Sequence, residues 1–308
     1  MPGYPSATGR LDEQSAVRSL DLDEVRLTYV VDGAMGLLPG GFFPGIPATH
    51  WAEHPLDAQG RVVMSAGGLL VERGGRSLLV DVGLGSYSGP MGIADPPFGV
   101  AESGDLPKTL ATLGHAPEDV DAVAFTHLHA DHTGWAIAPG TRRKFFPRAD
   151  YLVADQEWAP HGCGDTIPGA PSREEVIEPL ADAFTAIADG EEVFPGVTAL
   201  VTPGHSPGHT SYIVSTGAGR LIAFGDAFHI PGQLAHPDWP SAPDVDAEAV
   251  VAARRRIVDE LTVPGTLGFG CHFGDQAFGR VVCDGDGLAR WEPVPAVPLL
   301  PSPRQLAA

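Results

Sequence analysis

Thr126-His127-Leu128-His129-Ala130-Asp131-His132 follows directly on the apolar run Val120-Asp121-Ala122-Val123-Ala124-Phe125. Three imidazoles and a carboxylate within six residues, 127–132, are metal-ligand chemistry. If the loop leaves the strand extended, His127 and His129 share a face because side chains two apart point the same way. Asp131 and His132 then turn toward a second position, so one short loop serves two adjacent ions. An H-x-H pair alone reads as a solvated polar loop; the whole run behind a buried strand does not.

Further residues of the right kind stand downstream. They are His205 in Thr202-Pro203-Gly204-His205-Ser206-Pro207-Gly208-His209, Asp226 in Phe224-Gly225-Asp226, and His272 in Gly270-Cys271-His272. Each follows an apolar run, at 199–201, 221–224 and 266–269, so the three can converge on one rim of a sheet. A glycine beside each ligand lets the backbone turn sharply and approach the metals. His209 reads as a residue that bonds the backbone and holds the 204–208 turn. Cys271, next to a ligand on an extended segment, should point its thiol away from the metals.

In this order, H-x-H-x-D-H, T-P-G-H-x-P-G-H, G-D and a lone histidine resemble the metallo-β-lactamase superfamily, over most of the chain from the first hairpin to His272. The resemblance implies an α/β fold, the four-layer αββα sandwich, with a dinuclear centre at the sheet edge. It also implies that His127, His129 and His205 hold one ion, that Asp131, His132 and His272 hold the other, and that Asp226 bridges them. Two divalent metal ions are the implied cofactors, zinc foremost, with Mn²⁺, Fe²⁺ and Co²⁺ acceptable to the same ligands. The β-lactam hydrolases of the superfamily lack the bridging aspartate, whereas lactonases, glyoxalase II-like thioesterases and organophosphate hydrolases keep it. The closing 279–283 and 288–293 hairpin, the aromatic loop near Phe42 and segment 225–239 are most similar to the lactonase and methyl parathion hydrolase branch.

The activity so implied is that of a dinuclear metal-dependent hydrolase. Hydroxide formed between the ions attacks an ester, lactone or related bond of a small neutral substrate. Thioesterase and organophosphate hydrolase are the alternatives; β-lactamase, iron sulfur dioxygenase and a non-catalytic binding protein rank below them. Asp131 could ligate and orient the water with its two oxygens. His229 stands three residues after Asp226, where lactonases of the family carry a tyrosine, and either serves the leaving group or carbonyl oxygen or packs in the pocket wall. Phe42, Phe43, Phe98, Trp135 and Trp239 are candidates for an apolar substrate pocket. His50, His54, His115, His161 and His236 are expected at the surface or pocket rim, and Arg254, Arg255 and Arg256 on a solvated helix face.

Composition agrees with a small-molecule enzyme. The net charge of −20 repels phosphate backbones and anionic headgroups, so nucleic-acid and membrane partners are disfavoured. No segment approaches the length of apolar sequence that a membrane helix needs, residues 1–22 lack the run of a signal peptide, and a cytoplasmic location is expected. Three cysteines without C-x-x-C spacing suggest neither a disulfide framework nor a thiolate zinc site.

The chain reads as an N-terminal arm over 1–25, a single hydrolase domain over 26–293 and a Pro-rich tail over 294–308. Strands are predicted at 27–31, 67–71, 77–82, 120–125, 151–154, 197–201, 211–214 and 220–224, with helices from Leu106 to the stop at Gly114 and from an Asp246 cap to Leu261. Residues 33–54 are expected to form a long surface loop and 173–188 an amphipathic cap, so that 155–190 is a candidate lid. The arm or the aromatic loop could mediate a homodimer.

Overall fold

A computed structural model describes residues 8–92, 97–303 and 306. Residues 1–7 of the expected arm and 304, 305, 307 and 308 of the expected tail lie outside the described residues.

Among the described residues, two mixed sheets lie face to face. The first has ten strands, in the order Val297–Leu300, Val17–Leu22, Val25–Leu37, Val62–Arg73, Arg76–Val80, Ala122–Ala124, Asp150–Ala154 and Phe184–Ile187, with Tyr87–Met91 and Gly99–Ser103 branching from Val25–Leu37. The second has seven, in the order Glu192–Phe194, Val197–Val201, Thr210–Thr216, Gly219–Ala223, Thr266–Phe269, Phe278–Cys283 and Ala289–Pro293.

Period-two alternation builds the layers. Leu69, Val71, Leu78, Val80, Ala122 and Ala124 point into the space between the sheets, where they meet Val197, Ala199, Tyr212, Val214 and Leu221. Their neighbours Leu70, Leu79 and Val123 point the other way, onto Leu106 and Leu110 of the helix Leu106–Thr112. On the far side Ile222 and Phe224 pack under Ile257 and Leu261 of the helix Ala247–Leu261. Helix, sheet, sheet, helix is the αββα sandwich. The Asp246 side chain accepts the Glu248 and Ala249 amides, as an N-cap does.

Strands Val197–Val201, Gly219–Ala223 and Thr266–Phe269 run in one direction, because two antiparallel steps separate the first pair and a parallel step the second. Their C-terminal ends therefore share a rim, and that rim carries the residues of interest.

Several expectations need correction. Residues 1–25 are not simply an arm: Val17–Leu22 pairs antiparallel with Val25–Leu37. Its alternation is masked because Arg18 takes an inward position and pairs with Asp275 in the interior. The 294–308 segment likewise contributes the edge strand Val297–Leu300, where proline is tolerated because one side makes no ladder bonds. Residues 33–54 are not a loop. Strand Val25–Leu37 runs on to Leu37, and the short helices Pro39–Phe42 and Ala48–Glu53 follow. Gly33 belongs to that strand because strand Gly99–Ser103 passes so close that a Cβ there would lie 2.1 Å from the Glu102 carbonyl oxygen.

The 173–188 segment is not a cap. Phe184–Ile187 joins the first sheet beside Asp150–Ala154, and Ile177 and Leu180 are buried beneath it. Arg254 does not face solvent. It is fully buried and donates to the carbonyls of Ala227, Pro237 and Trp239 and to Asp244. His54 and His161 are buried rather than exposed.

Candidate metal centre

The chain leaves strand Ala122–Ala124, bends at Thr126 and enters a one-turn helix, Ala130–Thr133, from an extended His129. That change of direction sends the two halves of the run to different places. Two groups of donor atoms form, His127, His129, His205 and Asp226 in one and Asp131, His132, Asp226 and His272 in the other, with all atoms of a group within 4.8 Å of one another. Asp226 belongs to both. Its Oδ1 lies 3.1 Å from His132 Nε2 and 3.0 Å from His272 Nε2, and its Oδ2 lies 3.3 Å from His205 Nε2.

What fixes four of the rings is the other nitrogen. His132 Nδ1 donates to Asp81 Oδ2 at 2.8 Å, His205 Nδ1 to Asp244 Oδ1 at 3.0 Å, and His272 Nδ1 to the Ser65 carbonyl at 2.9 Å. Thr126 Oγ1 gives its hydrogen to Asp81 Oδ2, so it accepts from His127 Nδ1 at 3.0 Å. In four rings a proton is thus held on Nδ1, and Nε2 is the nitrogen that faces inward. His129 presents Nδ1 instead, 3.1 Å from His205 Nε2.

This donor set fits divalent cations. His127 Nε2, His132 Nε2, His272 Nε2 and Asp226 Oδ1 are buried and have no hydrogen-bond partner, a costly state for protein atoms and the ordinary one for ligands. Burial drives the pKa of His127 and His129 well down, helped by the neighbouring rings. For His132 burial acts the same way, but Asp226, Asp131 and Asp81 outweigh it and the pKa is raised. Burial would also raise Asp226; His132, His272, His229 and His127 hold it well below the usual carboxylate range instead.

Glu157 was not singled out from the sequence, yet it joins the two histidine loops. Its carboxylate accepts the Leu128 amide, the Ser206 hydroxyl and the Gly208 amide, at 2.9, 2.7 and 2.9 Å. Asp81, Asp244, Ser65 and Thr126 were missed too. Only Asp81 had a visible signal, an acid at the end of an apolar strand. Gly204 and Gly225 turn the chain at positive φ, as expected, 132° and 47°. The close approach is to protein: a Cβ on Gly204 would lie 2.1 Å from the Val250 nitrogen, and one on Gly208, beside His209, 2.0 Å from the Glu157 nitrogen.

His209 takes no part in either group. Its Nε2 accepts the Asp226 amide at 3.1 Å, which requires Nδ1 to donate to Thr202 Oγ1 at 2.9 Å. Cys271 lies in the core between the sheets.

A cavity of about 360 Å³ opens over the donors, with Met35, Met64, Leu84 and Met91 among its apolar walls. Phe42 and Phe98 line it, as does His229, whose Nε2 is 3.1 Å from Asp226 Oδ2. Three of the aromatic candidates do not. Phe43 is buried behind Phe42, and Trp239 stacks on His236 at a ring distance of 4.1 Å. Trp135 is in the core beneath the first sheet with its indole N–H on Asp32. Of the candidate lid 155–190, Gly169 alone lines the cavity. It accepts the Ala130 amide and lies against the His129 ring, where a Cβ would approach to 2.9 Å.

A family model described as the metallo-beta-lactamase superfamily matches residues 68–265. An N-acyl homoserine lactonase of Bacillus cereus is 34% identical over 116 residues, 37% of this chain and 40% of the lactonase. The match thus spans well under half of that relative. Metallo-beta-lactamase domain-containing protein 1 of Mus musculus is 30% identical over 172 residues, 53% of this chain and 54% of its own. Among solved structures, AidC, described as a dizinc quorum-quenching lactonase in complex with a product, superposes with a TM-score of 0.76 at 21% identity, covering 92% of this chain and 99% of its own. The hydrolase AbOPH gives 0.74 at 22%, covering 92% and 98%. At such identities the two structures establish the fold.

Proposed function

The chain belongs to the metallo-β-lactamase superfamily, and on that footing we propose that it is a dinuclear metal-dependent hydrolase that opens lactones or closely related esters carrying an apolar group. The observation that carries the proposal is Asp226, one buried carboxylate shared by two groups of histidines, three of which, His127, His132 and His272, turn inward an Nε2 with no hydrogen-bond partner. His127, His129 and His205 would hold one cation and Asp131, His132 and His272 the second, with Asp226 between them. Two such ions would polarise a substrate carbonyl and lower the pKa of the water that attacks it. Zinc suits the imidazole-rich set.

The chain's own residues supply the rest. Asp131, with 19% of its side chain exposed, is the most open of the donors, and its second oxygen can accept a proton from the attacking water. Burial holds the pKa of His229 below the usual histidine range, so its neutral ring stands in the cavity wall beside Asp226, in place to bond a substrate oxygen. Phe42, Phe98 and the three methionines exclude water from an uncharged acyl group, and methionine's flexible thioether adapts to its shape. The lactonase likeness supports the ester side of this reading. The aromatic wall also favours a second reading, an aryl phosphotriester. Three free cysteines among the described residues support a reducing compartment, and we place the enzyme in the cytoplasm.

The test is a panel of lactones, aryl esters, thioesters, phosphotriesters and a chromogenic cephalosporin, run with and without chelator beside metal analysis. Lactone or ester turnover with two metal equivalents per chain, abolished by chelation, is expected. A single iron with oxygen uptake, or turnover indifferent to chelation, would overturn the proposal. His229→Phe should keep both metals and turn over slowly.

A further inference from the structure

Behind His229 lies a buried relay that ends at Gln233. The Gln233 side chain is fully buried, and its orientation is settled by its neighbours. Its Oε1 accepts two backbone amides, His229 at 2.8 Å and Ile230 at 3.3 Å. Its Nε2 donates to the Trp239 carbonyl at 3.1 Å, an atom that can only accept, and to Ser241 Oγ at 3.0 Å. Ser241 Oγ therefore receives one hydrogen from Gln233. Among the described residues its own hydrogen meets one acceptor, His229 Nδ1 at 3.0 Å. An imidazole that accepts at Nδ1 and is neutral carries its proton on Nε2, and His229 Nε2 faces the carboxylate oxygen Asp226 Oδ2 at 3.1 Å. Every donor in the chain Gln233, Ser241, His229, Asp226 then has an acceptor.

We infer that Ser241 and Gln233 are positioning residues that lock His229 as the Nε2–H tautomer, so that this N–H, shared with Asp226 Oδ2, is the donor His229 presents at the cavity wall. This is the reverse of His127, His132, His205 and His272, whose protons are held on Nδ1. The consequence is selective: a substrate is recognised at this wall through an accepting oxygen, and a group that presents N–H or O–H there is rejected. The same turn has a second task. The Ser241 amide donates to Asp244 Oδ2, and Asp244 Oδ1 orients His205. Removing the Ser241 hydroxyl leaves that backbone bond in place, and with it the orientation of His205.

The kinetic part of this inference rests on the proposed function; the tautomer does not. The test is the long-range ¹H–¹⁵N spectrum of the imidazoles in uniformly labelled, zinc-loaded protein, with His229 assigned by the signals lost in His229→Phe. A protonated Nε2 and a bare Nδ1 are expected. In Ser241→Ala the preference should be lost, with metal content unchanged, kcat lower by about tenfold and KM little altered; Ser241→Thr, which keeps the hydroxyl, should restore both. A proton on Nδ1 in the wild type overturns the inference, even if Ser241→Ala fails to fold. So does a Ser241→Ala spectrum that keeps the wild-type tautomer. If no ester or lactone is turned over, the proposed function fails while the spectrum still decides the tautomer.

Discussion

Asp81 Oδ2 accepts the Nδ1 proton of His132 at 2.8 Å from a backbone held at φ 62°, a left-handed conformation that a side chain other than glycine adopts at a cost. The strain follows strand Arg76–Val80 directly, where the chain must turn to bring one carboxylate onto both Thr126 and His132. Asp81→Asn preserves size but sets an NH₂ group against either His132 or the Thr126 amide. Opposite His132 it would force the imidazole proton onto Nε2, facing the metals. We expect metal affinity to fall by roughly 10–100-fold, read by competition against a calibrated chelator; unchanged affinity would show that Asp81 does not set the tautomer.

Asp226 joins the two groups, so its loss should not be graded. In Asp226→Ala and in His127→Ala, metal content and turnover should disappear together, as measured by elemental analysis and initial rates on the same preparation. Turnover retained by either variant would remove the assigned centre.

The ion pair of Arg18 with Asp275 ties the N-terminal strand to the loop that carries His272. Asp275 Oδ1 accepts Arg18 Nε at 2.6 Å and the Ala16 amide at 2.8 Å, and both side chains are about 2% exposed. Replacing Arg18 with Met leaves a buried carboxylate short of its donors. Breaking such a pair costs about 3–5 kcal/mol, and denaturant titration should register it. A loss below about 1 kcal/mol would mean that the pair is solvated like an exposed one.

His54 supplies a pH dependence remote from the donor atoms. Burial, reinforced by His50, lowers its pKa from 6.5 to about 4. The unfolded chain therefore takes up a proton that the folded one refuses. Stability is full above pH 6.5 and falls as pH drops toward 4, by about 3 kcal/mol from this group. His54→Gln should flatten that part of the profile in thermal or denaturant unfolding between pH 7 and 4; an unaltered slope would assign the acid sensitivity elsewhere.

Much of the fold was legible because its causes are local. The strands at 197–201 and 220–224 and the Asp246 cap depend on alternation and on one side chain reaching its own backbone. Where a distant partner sets the pattern, reading failed. Arg18 breaks the alternation of Val17–Leu22 because its partner lies more than 250 residues away. Arg254 looks like a surface cation until the carbonyls of Ala227, Pro237 and Trp239 close around it. Trp135 looks like pocket and Phe42 is pocket, though composition treats them alike.

By itself the sequence determined which side chains could serve as metal donors and in what order, since donor type and spacing are properties of a short loop and of residues at the ends of apolar runs. Only the tertiary structure decided which nitrogen of His132, His205, His272, His127 and His229 faces inward. That choice is made by a hydrogen bond to Asp81, Asp244, Ser65, Thr126 or Ser241, and all but Thr126 are brought to their rings by another part of the chain.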